Sequence, residues 1–293
     1  MNRGENKAKS SLILAMVIFG TIGIFRRYIP LSSGIVAFVR GVLGVAFLYG
    51  FVKVKKIRID RKMIKKYFLL LAGSGALIGL NWVLLFESYR YTSVAVATLC
   101  YYMAPIFVMI ASPVLLKEKL TVKQILCVAV ALLGMVFVSG VLDGGISGAS
   151  EMKGILFGLG AAAFYATVIL MNQKLGAVGT YDKTMMQLGA AAVVLIPYLL
   201  LTEDFSAVTL TPLIGIMLLV VGVVHTGIAY ALYFGSMNGL KAQTVALFSY
   251  IDPIVAIILS ALFLKEPMTL YSGIGAVLVL GATMISELPS KQS

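Results

Sequence analysis

Charged residues are scarce in this 293-residue chain, in which Lys, Arg, Asp and Glu together make up 12% of the sequence. Soluble domains average about 25% charged residues, so an ordinary water-soluble globular fold is excluded. Hydrophobic residues make up 60% instead. They form repeated runs of roughly 18–22 residues, and a helix needs about 20 apolar residues to cross a bilayer. The sequence therefore predicts an all-α polytopic membrane protein.

Residue types that build catalytic centres are also rare. The chain has one histidine, His225, and two cysteines, Cys100 and Cys127, which lie in apolar segments without a CxxC pattern or a histidine neighbour. No metal site is predicted from so few ligands. The absence of a GxxxxGK[ST] loop argues against ATP-driven pumping by this chain alone. We predict that the protein is not an enzyme and holds no cofactor; the alternative is an integral membrane enzyme acting on a lipid-like substrate.

Acidic residues are half as frequent as basic ones, 12 against 24, which gives a net charge of +12. This charge lies in short loops, above all at residues 53–66, rather than on one basic face, so no nucleic-acid partner is predicted. The positive-inside rule places these loops, and with them the N- and C-termini, on the cytoplasmic side of the cell membrane. The run at 53–66 could also bind anionic lipid head groups. The expected partners are the lipid bilayer and a small-molecule substrate, and the oligomeric state is left open.

Ten apolar runs bounded by charged, Gly, Pro or Asn residues are predicted to be transmembrane helices. An even number of spans places both termini on one side of the membrane. The predicted spans cover residues 11–28, 33–52, 66–88, 92–115, 121–140, 154–173, 183–202, 211–234, 242–264 and 269–287.

An internal repeat relates the two halves of the chain at an offset of 148 residues. Across 82–122 and 230–270, thirteen of 41 aligned pairs are identical, among them Tyr102 with Tyr250 and Pro105 with Pro253. The repeat predicts two five-helix halves. Because five is odd, the second half enters the membrane from the opposite side, which makes the halves inverted repeats. Many secondary transporters have this architecture, with a substrate site at the repeat interface that is exposed alternately to each side.

Four motifs present in both halves resemble the two EamA domains of the drug/metabolite transporter superfamily. They are a small-residue-rich helix (YTSVAVATL, LKAQTVALF), a mid-helix proline (YMAPIF, YIDPIV), a Lys-Glu exit (LLKEKLT, LFLKEPMT) and a Gly-containing last helix (VALLGMVFVSG, VLVLGATMIS). The resemblance implies a first EamA-like five-helix repeat at 1–148 and a second, inverted one at 149–293. It further implies a central cavity and the export of amino acids, metabolites or related small compounds by alternating access. The first-helix end FGTIGIFRRY is more basic than the family pattern suggests.

Small-molecule sites are usually apolar pockets with a few placed polar groups. We therefore expect the cavity to be lined by polar and aromatic side chains of the helices that the resemblance directs inward, although such aromatic residues can also serve only for packing. The expected cargo is small and amphipathic, such as a hydrophobic or aromatic amino acid. The candidate substrate-binding residues are Asp252, Tyr250, Tyr102, Tyr101, Trp82, Asn81, Tyr165, Tyr230 and His225.

Pro105 and Pro253 are predicted to kink or open their helices, because proline cannot donate a backbone hydrogen bond to the residue four positions earlier. The carbonyls of Tyr101 and Ser249 would then be free for a side chain or for the cavity. Shaping of the helix bundle and direct contact with substrate are both open interpretations of these kinks.

Asp252 lies inside the apolar run 244–264, and its repeat mate is Ala104, so the shared fold does not require a charge at this position. Ionisable residues inside membrane spans are usually functional. We interpret Asp252 as a group that binds a substrate ammonium or relays protons; a buried salt bridge, for example to Arg40, is the alternative. For Arg40 itself, a structural partner such as a helix C-terminal carbonyl or a carboxylate is predicted, with contact to the substrate as the alternative.

His225 has two interpretations, a packed histidine or a group that exchanges protons. Although no cofactor is predicted, proton coupling through such a group is a further expectation. Glu118 and Glu266 recur at one register of the repeat, yet inversion places them near opposite faces. We interpret both as structural, beside helices that begin at the capping residues Thr121 and Thr269, rather than as an ion gate.

Overall fold

A computed structural model of the chain describes residues 3–115, 121–138, 149–237, 240 and 242–288. These residues form helices and their connections, with no β-strand among them, which confirms the all-α prediction. The helices before residue 139 are α1 (Arg3–Tyr28), α2 (Ser33–Val54), α3 (Arg61–Lys66), α4 (Phe68–Tyr91), α5 (Val94–Tyr101), α6 (Ala104–Leu115) and α7 (Val122–Val138).

The later part of the chain begins with α8 (Ala149–Gln173) and α9 (Thr180–Thr202) and includes a helix that changes its winding. This helix starts as α10 (Pro212–Leu219), continues as a π-helical segment (Val220–Ile228) and ends as α11 (Ala229–Met237). The last helices are α12 (Ala242–Ser249), α13 (Ile251–Phe263) and α14 (Leu270–Glu287).

Seven helical stretches in the described part of the chain are long and apolar enough to cross a membrane. Three shorter apolar helices, at 122–138, 251–263 and 270–286, lie at the positions of the predicted fifth, ninth and tenth spans. These observations agree with a polytopic membrane protein, while the count of ten crossings stays a prediction. The proposed division at residue 148 lies outside the described residues.

The first helix begins earlier than its apolar run predicts, at Arg3 rather than at residue 11. Glu5 and Lys9 form an ion pair of 2.7 Å within this extension. Pairs of opposite charge spaced by four residues stabilise a helix, so a polar sequence can add turns ahead of the membrane span.

Two predicted helix starts are confirmed by their caps. Thr121 Oγ1 accepts a hydrogen bond from the Gln124 N–H at 3.3 Å, and Gln124 Oε1 accepts one from the Thr121 N–H at 2.8 Å. This reciprocal pair is a capping box, which satisfies backbone donors at the start of α7. Thr269 Oγ1 accepts from the Ser272 N–H at 3.0 Å at the start of α14. Glu118 lies outside the described residues.

The most extensive helix packing in the described part joins the two halves of the chain. Helix α4 packs against α8 and α9, α7 against α14, α2 against α9, and α1 against α11 and α13. Each of these pairs combines a helix from the first repeat with one from the second. The apolar cluster around Phe86, for example, also contains Leu188 and Leu195 of α9. The described helices therefore pack mainly across the interface between the two halves.

Small residues allow two of these helix pairs to approach closely. A Cβ atom placed on Gly275 of α14 would lie 2.7 Å from the carbonyl oxygen of Gly134 in α7. Gly75 of α4 is in similar contact with the backbone of α9 at Gln187. Lipid gives membrane helices no hydrophobic reason to associate, so close van der Waals packing has to hold them together.

An ion pair joins the halves at the predicted outer end. Arg27 Nη2 lies 2.8 Å from Glu266 Oε1 and also donates to the Thr92 carbonyl at 2.9 Å. Glu266 Oε2 accepts from the Val94 N–H at 2.8 Å and from the Ser260 hydroxyl. Glu266 therefore caps α5 and fastens the ends of α1 and α13, a structural role between elements distant in the sequence that its position beside α14 did not indicate.

We expect Gly275→Ala to destabilise the protein, because the new methyl group would meet the Gly134 carbonyl oxygen and force α7 and α14 apart. Overfilling a packed contact typically costs about 1–3 kcal/mol. Gly281 of the same helix has no atom within 4 Å of its Cβ position, so Gly281→Ala is the matched control and should be neutral or slightly stabilising. Thermal unfolding of the purified proteins in detergent measures both changes. Equal midpoints for the two variants would contradict the close contact.

We also expect Glu266→Gln to lower the free energy of unfolding by about 1.5–3 kcal/mol, since hydrogen bonds to a charged group in a partly buried position are lost. The control is Glu87→Gln. Glu87 pairs at 2.9 Å with Arg90, whose side chain is 52% exposed, and exposed helix pairs contribute only about 0.3–0.5 kcal/mol. A loss for Glu266→Gln no larger than that for Glu87→Gln would show that the link between the halves is not stabilising.

Candidate functional site

Two helix breaks lie just before the prolines that the repeats share. The fourth predicted span divides into α5 and α6 at residues 102–103, and the ninth divides into α12 and α13 at Tyr250. Pro105 and Pro253 each follow a break by a few residues. Because neither proline can donate to the carbonyl four positions earlier, the chain leaves regular α-helical geometry at these points.

The hydroxyl of Tyr102 connects the two breaks. It donates to the carbonyl oxygen of Ser249 at 3.2 Å, which is the acceptor that Pro253 cannot satisfy. It also lies 2.9 Å from Oδ2 of Asp252, so its single hydrogen is shared between the two acceptors. Tyr102 of the first repeat therefore supplies the hydrogen-bond donor that is missing at the Ser249 carbonyl of the second repeat. It also binds the carboxylate of Asp252.

Four tyrosines surround this contact, and we call Tyr101, Tyr102, Tyr165 and Tyr250 the tyrosine cluster. Tyr101 and Tyr165 are stacked with ring centroids 5.4 Å apart. The ring centroid of Tyr102 lies 6.3 Å from that of Tyr101 and 6.1 Å from that of Tyr250. Tyr165 keeps 40% of its surface accessible, and Asp252 is partly exposed. The cluster thus presents aromatic faces and a carboxylate to accessible space.

A second aromatic group lies beside the tyrosine cluster and contains Phe19, Tyr230, Tyr233 and Phe234. Phe19 of α1 lies 5.4 Å from Tyr230 and 6.3 Å from Tyr233, both in α11. Tyr230 and Tyr101, a member of the tyrosine cluster, pack against the same apolar core. Phe19 was not among the candidate residues. The one sequence signal for it is the small and polar stretch FGTIGIF in the first span.

Arg40 has partners that differ from those predicted. Its Nε donates to Thr226 Oγ1 at 2.8 Å, and its guanidinium carbon lies 4.2 Å from the centre of the Trp82 ring. In the described part of the chain, no carboxylate lies within 4.0 Å of Arg40. The predicted structural partner is therefore present as Thr226, although it is a hydroxyl and not a helix carbonyl or a carboxylate, and the alternative of an Arg40–Asp252 salt bridge does not apply to this conformation. A hydroxyl and an aromatic face hold the cation instead.

The π-helical segment Val220–Ile228 positions Thr226 and His225. A π-helix bonds each residue to the one five positions earlier, and such turns are frequent at functional sites. The side chains follow the same step, because Thr226 Oγ1 donates to the Val221 carbonyl at 3.1 Å and His225 Nδ1 lies 3.2 Å from the Val220 carbonyl. The wide turn directs both side chains toward helices of the first repeat.

His225 is 1% exposed and occupied on both ring nitrogens. Its Nε2 lies 2.7 Å from Thr21 Oγ1, in addition to the Val220 contact of Nδ1. The ring meets Phe25 edge-on, with centroids 4.9 Å apart. These contacts support the interpretation of His225 as a packed histidine that joins the π-helical segment to α1.

The structure brings some of the nine candidate residues together and leaves others apart. Asn81 is 1% exposed and donates to the Ala161 carbonyl at 2.5 Å, which makes it a contact between α4 and α8. Trp82 is 4% exposed and lies beneath Arg40. Tyr230 belongs to the second aromatic group. The residues gathered at the helix breaks are Asp252, Tyr101, Tyr102, Tyr165 and Tyr250.

The chemistry of this arrangement suits the binding of a cation. A carboxylate accepts a strong, charge-assisted hydrogen bond from an ammonium group. Aromatic faces attract the same group through their ring quadrupoles, and the attraction grows when the site is shielded from water. Asp252 and the tyrosine cluster offer both kinds of contact at the interface between the repeats.

Comparison with known proteins identifies the family. The EamA-like transporter family matches this chain twice, over residues 7–140 and 152–287, and so covers both halves. The uncharacterized transporter YxxF of Bacillus subtilis is 31% identical over 288 residues, which span 97% of this chain and 91% of that protein. Protein PecM of Dickeya dadantii is 27% identical over 219 residues, which span 73% of this chain and 71% of that protein.

A solved crystal structure shares the fold. It aligns with a TM-score of 0.66 and covers 96% of both chains, at 18% sequence identity. The two family matches, the full-length transporter relative and the all-helical structure agree with the resemblance seen in the repeated motifs. The chain is a membrane transporter that belongs to the EamA-like transporter family.

Proposed function

We propose that this protein is a secondary transporter that exports small metabolites or amino acids across the cytoplasmic membrane by alternating access. The cargo binds at Asp252 and the tyrosine cluster. The observation that carries the proposal is the contact between Tyr102 and Asp252, because it places an intramembrane carboxylate at the repeat interface, within reach of accessible space.

Several features favour substrate binding over a purely structural role for Asp252. Its repeat mate is Ala104, so the helix break forms without an acid in the other half. No ion pair involves Asp252 among the described residues, although an intramembrane charge normally requires compensation. An ammonium group on the cargo would supply the missing positive charge, and the neighbouring tyrosines would contact the apolar part of the cargo.

Proton exchange at Asp252 would couple transport to the proton gradient, which would supply the driving force. A carboxylate that accepts either a proton or a cationic cargo links the movements of the two in opposite directions. His225 is a weaker candidate for this role, since Thr21 and Val220 already occupy its ring nitrogens. Any proton coupling is therefore assigned to Asp252.

The experiment is uptake into proteoliposomes with an imposed pH gradient, using α-amino acids and their decarboxylated amines as a cargo panel. We expect Asp252→Asn to reduce uptake roughly 10–150-fold, which corresponds to the loss of about 1.5–3 kcal/mol from a charged hydrogen bond. The residual uptake should no longer respond to the pH gradient, because the amide does not titrate.

The matched control is Asp204→Asn in an exposed loop. The side-chain and backbone hydrogen bonds from Ser206 lower the pKa of Asp204, so this carboxylate stays ionised over the pH range of the assay. The control should keep wild-type uptake and pH response. Uptake and pH dependence that survive in Asp252→Asn would exclude the assigned role, and failure of every panel member to cross with the wild type would contradict the proposed function.

We expect Tyr102→Phe to weaken cargo binding by about fivefold, because removal of the hydroxyl loses a hydrogen bond worth about 1 kcal/mol while the ring remains. Tyr102 acts by positioning Asp252, so the response to the pH gradient should persist, in contrast to Asp252→Asn. Tyr91→Phe, which alters a ring packed on Phe157, is the control. Unchanged half-saturation of uptake in Tyr102→Phe would show that its hydroxyl does not position the carboxylate.

A further inference from the structure

Arg40 is a buried cation without a counter-ion in the described part of the chain. The residue is 6% exposed, lies in the middle of α2 and forms no ion pair with a described carboxylate. Among the described residues, its one hydrogen bond goes from Nε to the Thr226 hydroxyl. The guanidinium carbon lies 4.2 Å from the centre of the Trp82 ring and 5.8 Å from that of the Phe86 ring. The two rings attract the cation but do not neutralise its charge. An unpaired charge at this depth is costly and usually serves a function.

The two terminal nitrogens of Arg40 are the groups to which an anion would bind. Neither donates a described hydrogen bond, and neither is among the polar atoms that are both fully enclosed and unpartnered. Their donors are therefore unused among the described residues. A guanidinium group with free terminal nitrogens matches a carboxylate well, since the two can form a pair of parallel hydrogen bonds.

Asp252 likewise has a carboxylate oxygen that is free to accept a hydrogen bond from a cation. Tyr102 occupies its Oδ2, while Oδ1 has no described hydrogen bond and is not enclosed. Tyr101 links the surroundings of the two charges, because it packs against the apolar cluster that contains Trp82 and Phe86, and its ring centroid lies 6.3 Å from that of Tyr102, which holds Asp252. The nitrogen atoms of Arg40 and the carboxylate oxygens of Asp252 nevertheless remain more than 4.0 Å apart, as no ion pair joins them. The site thus contains a separated cation and anion with an aromatic ring close to both.

We infer that Arg40 is the anion-binding residue of the transport site and that the cargo is a zwitterion, with its carboxylate at Arg40 and its ammonium at Asp252. This inference rests on the proposed function and narrows its cargo to molecules that carry both charges. A zwitterion neutralises both charged groups at once, whereas an amine leaves Arg40 unpaired. The aromatic groups between and beside the two charges then contact the side chain of the cargo.

The inference is tested with matched pairs of probes in wild-type proteoliposomes. Phenylalanine, tryptophan and leucine are compared with phenethylamine, tryptamine and isoamylamine, which lack only the carboxylate. We expect uptake of at least one amino acid at low concentration to exceed that of its amine by about tenfold or more. In Arg40→Gln this ratio should fall to about one, and Arg40→Lys should restore part of it, because lysine keeps the charge without the planar fork.

Arg90→Gln is the matched control, because it removes an exposed arginine that pairs with Glu87 at the surface. It should keep the wild-type ratio. Equal wild-type uptake of amino acids and amines, or an unchanged ratio in Arg40→Gln, would overturn the assignment of Arg40 and leave the proposed function intact. Absence of uptake for every probe would overturn both. If Arg40→Gln does not fold, the ratio measured for the wild type decides.

Discussion

A helix inside a bilayer has to satisfy its own backbone hydrogen bonds, and Pro253 prevents this at the Ser249 carbonyl. The hydroxyl of Tyr102 supplies the missing donor from the other half of the chain. That requirement brings the two helix breaks together, and with them the carboxylate of Asp252. The tyrosine cluster then packs around this contact. The site is therefore a consequence of how the two repeats compensate for an interrupted helix at their interface.

Differences between the repeats account for the chemistry of the site, while their common features account for its shape. Both halves contain the tyrosine and the proline, but only the second has an acid before the proline, at Asp252 opposite Ala104. The cation, Arg40, comes from the first half and is held by Thr226 of the second half's π-helical segment. A duplicated scaffold can thus carry one anion and one cation at a shared interface, with each charge contributed by one repeat only.

Local sequence signals predicted a large part of this structure. Apolar run length predicted where the apolar helices lie, and Thr121 and Thr269 correctly marked the starts of α7 and α14, because capping depends on residues three positions apart. Asp252 stood out because the repeat offers an internal comparison. The partners of Arg40 and Glu266 could not be predicted in the same way. Those contacts join α2 to the π-helical segment and α1 to the end of α13. They depend on how helices distant in the sequence are oriented toward one another, which local sequence patterns do not give.

The most direct test of cargo binding at Asp252 is its chemical protection. A hydrophobic carbodiimide modifies accessible carboxyl groups within the membrane, and mass spectrometry of the peptide that contains Asp252 gives the rate of modification. We expect a transported amino acid or amine from the panel to slow modification of Asp252 in a concentration-dependent way, while modification of Glu87, which pairs with the exposed Arg90, is unchanged. Equal rates at Asp252 with and without a transported cargo would contradict binding at this residue.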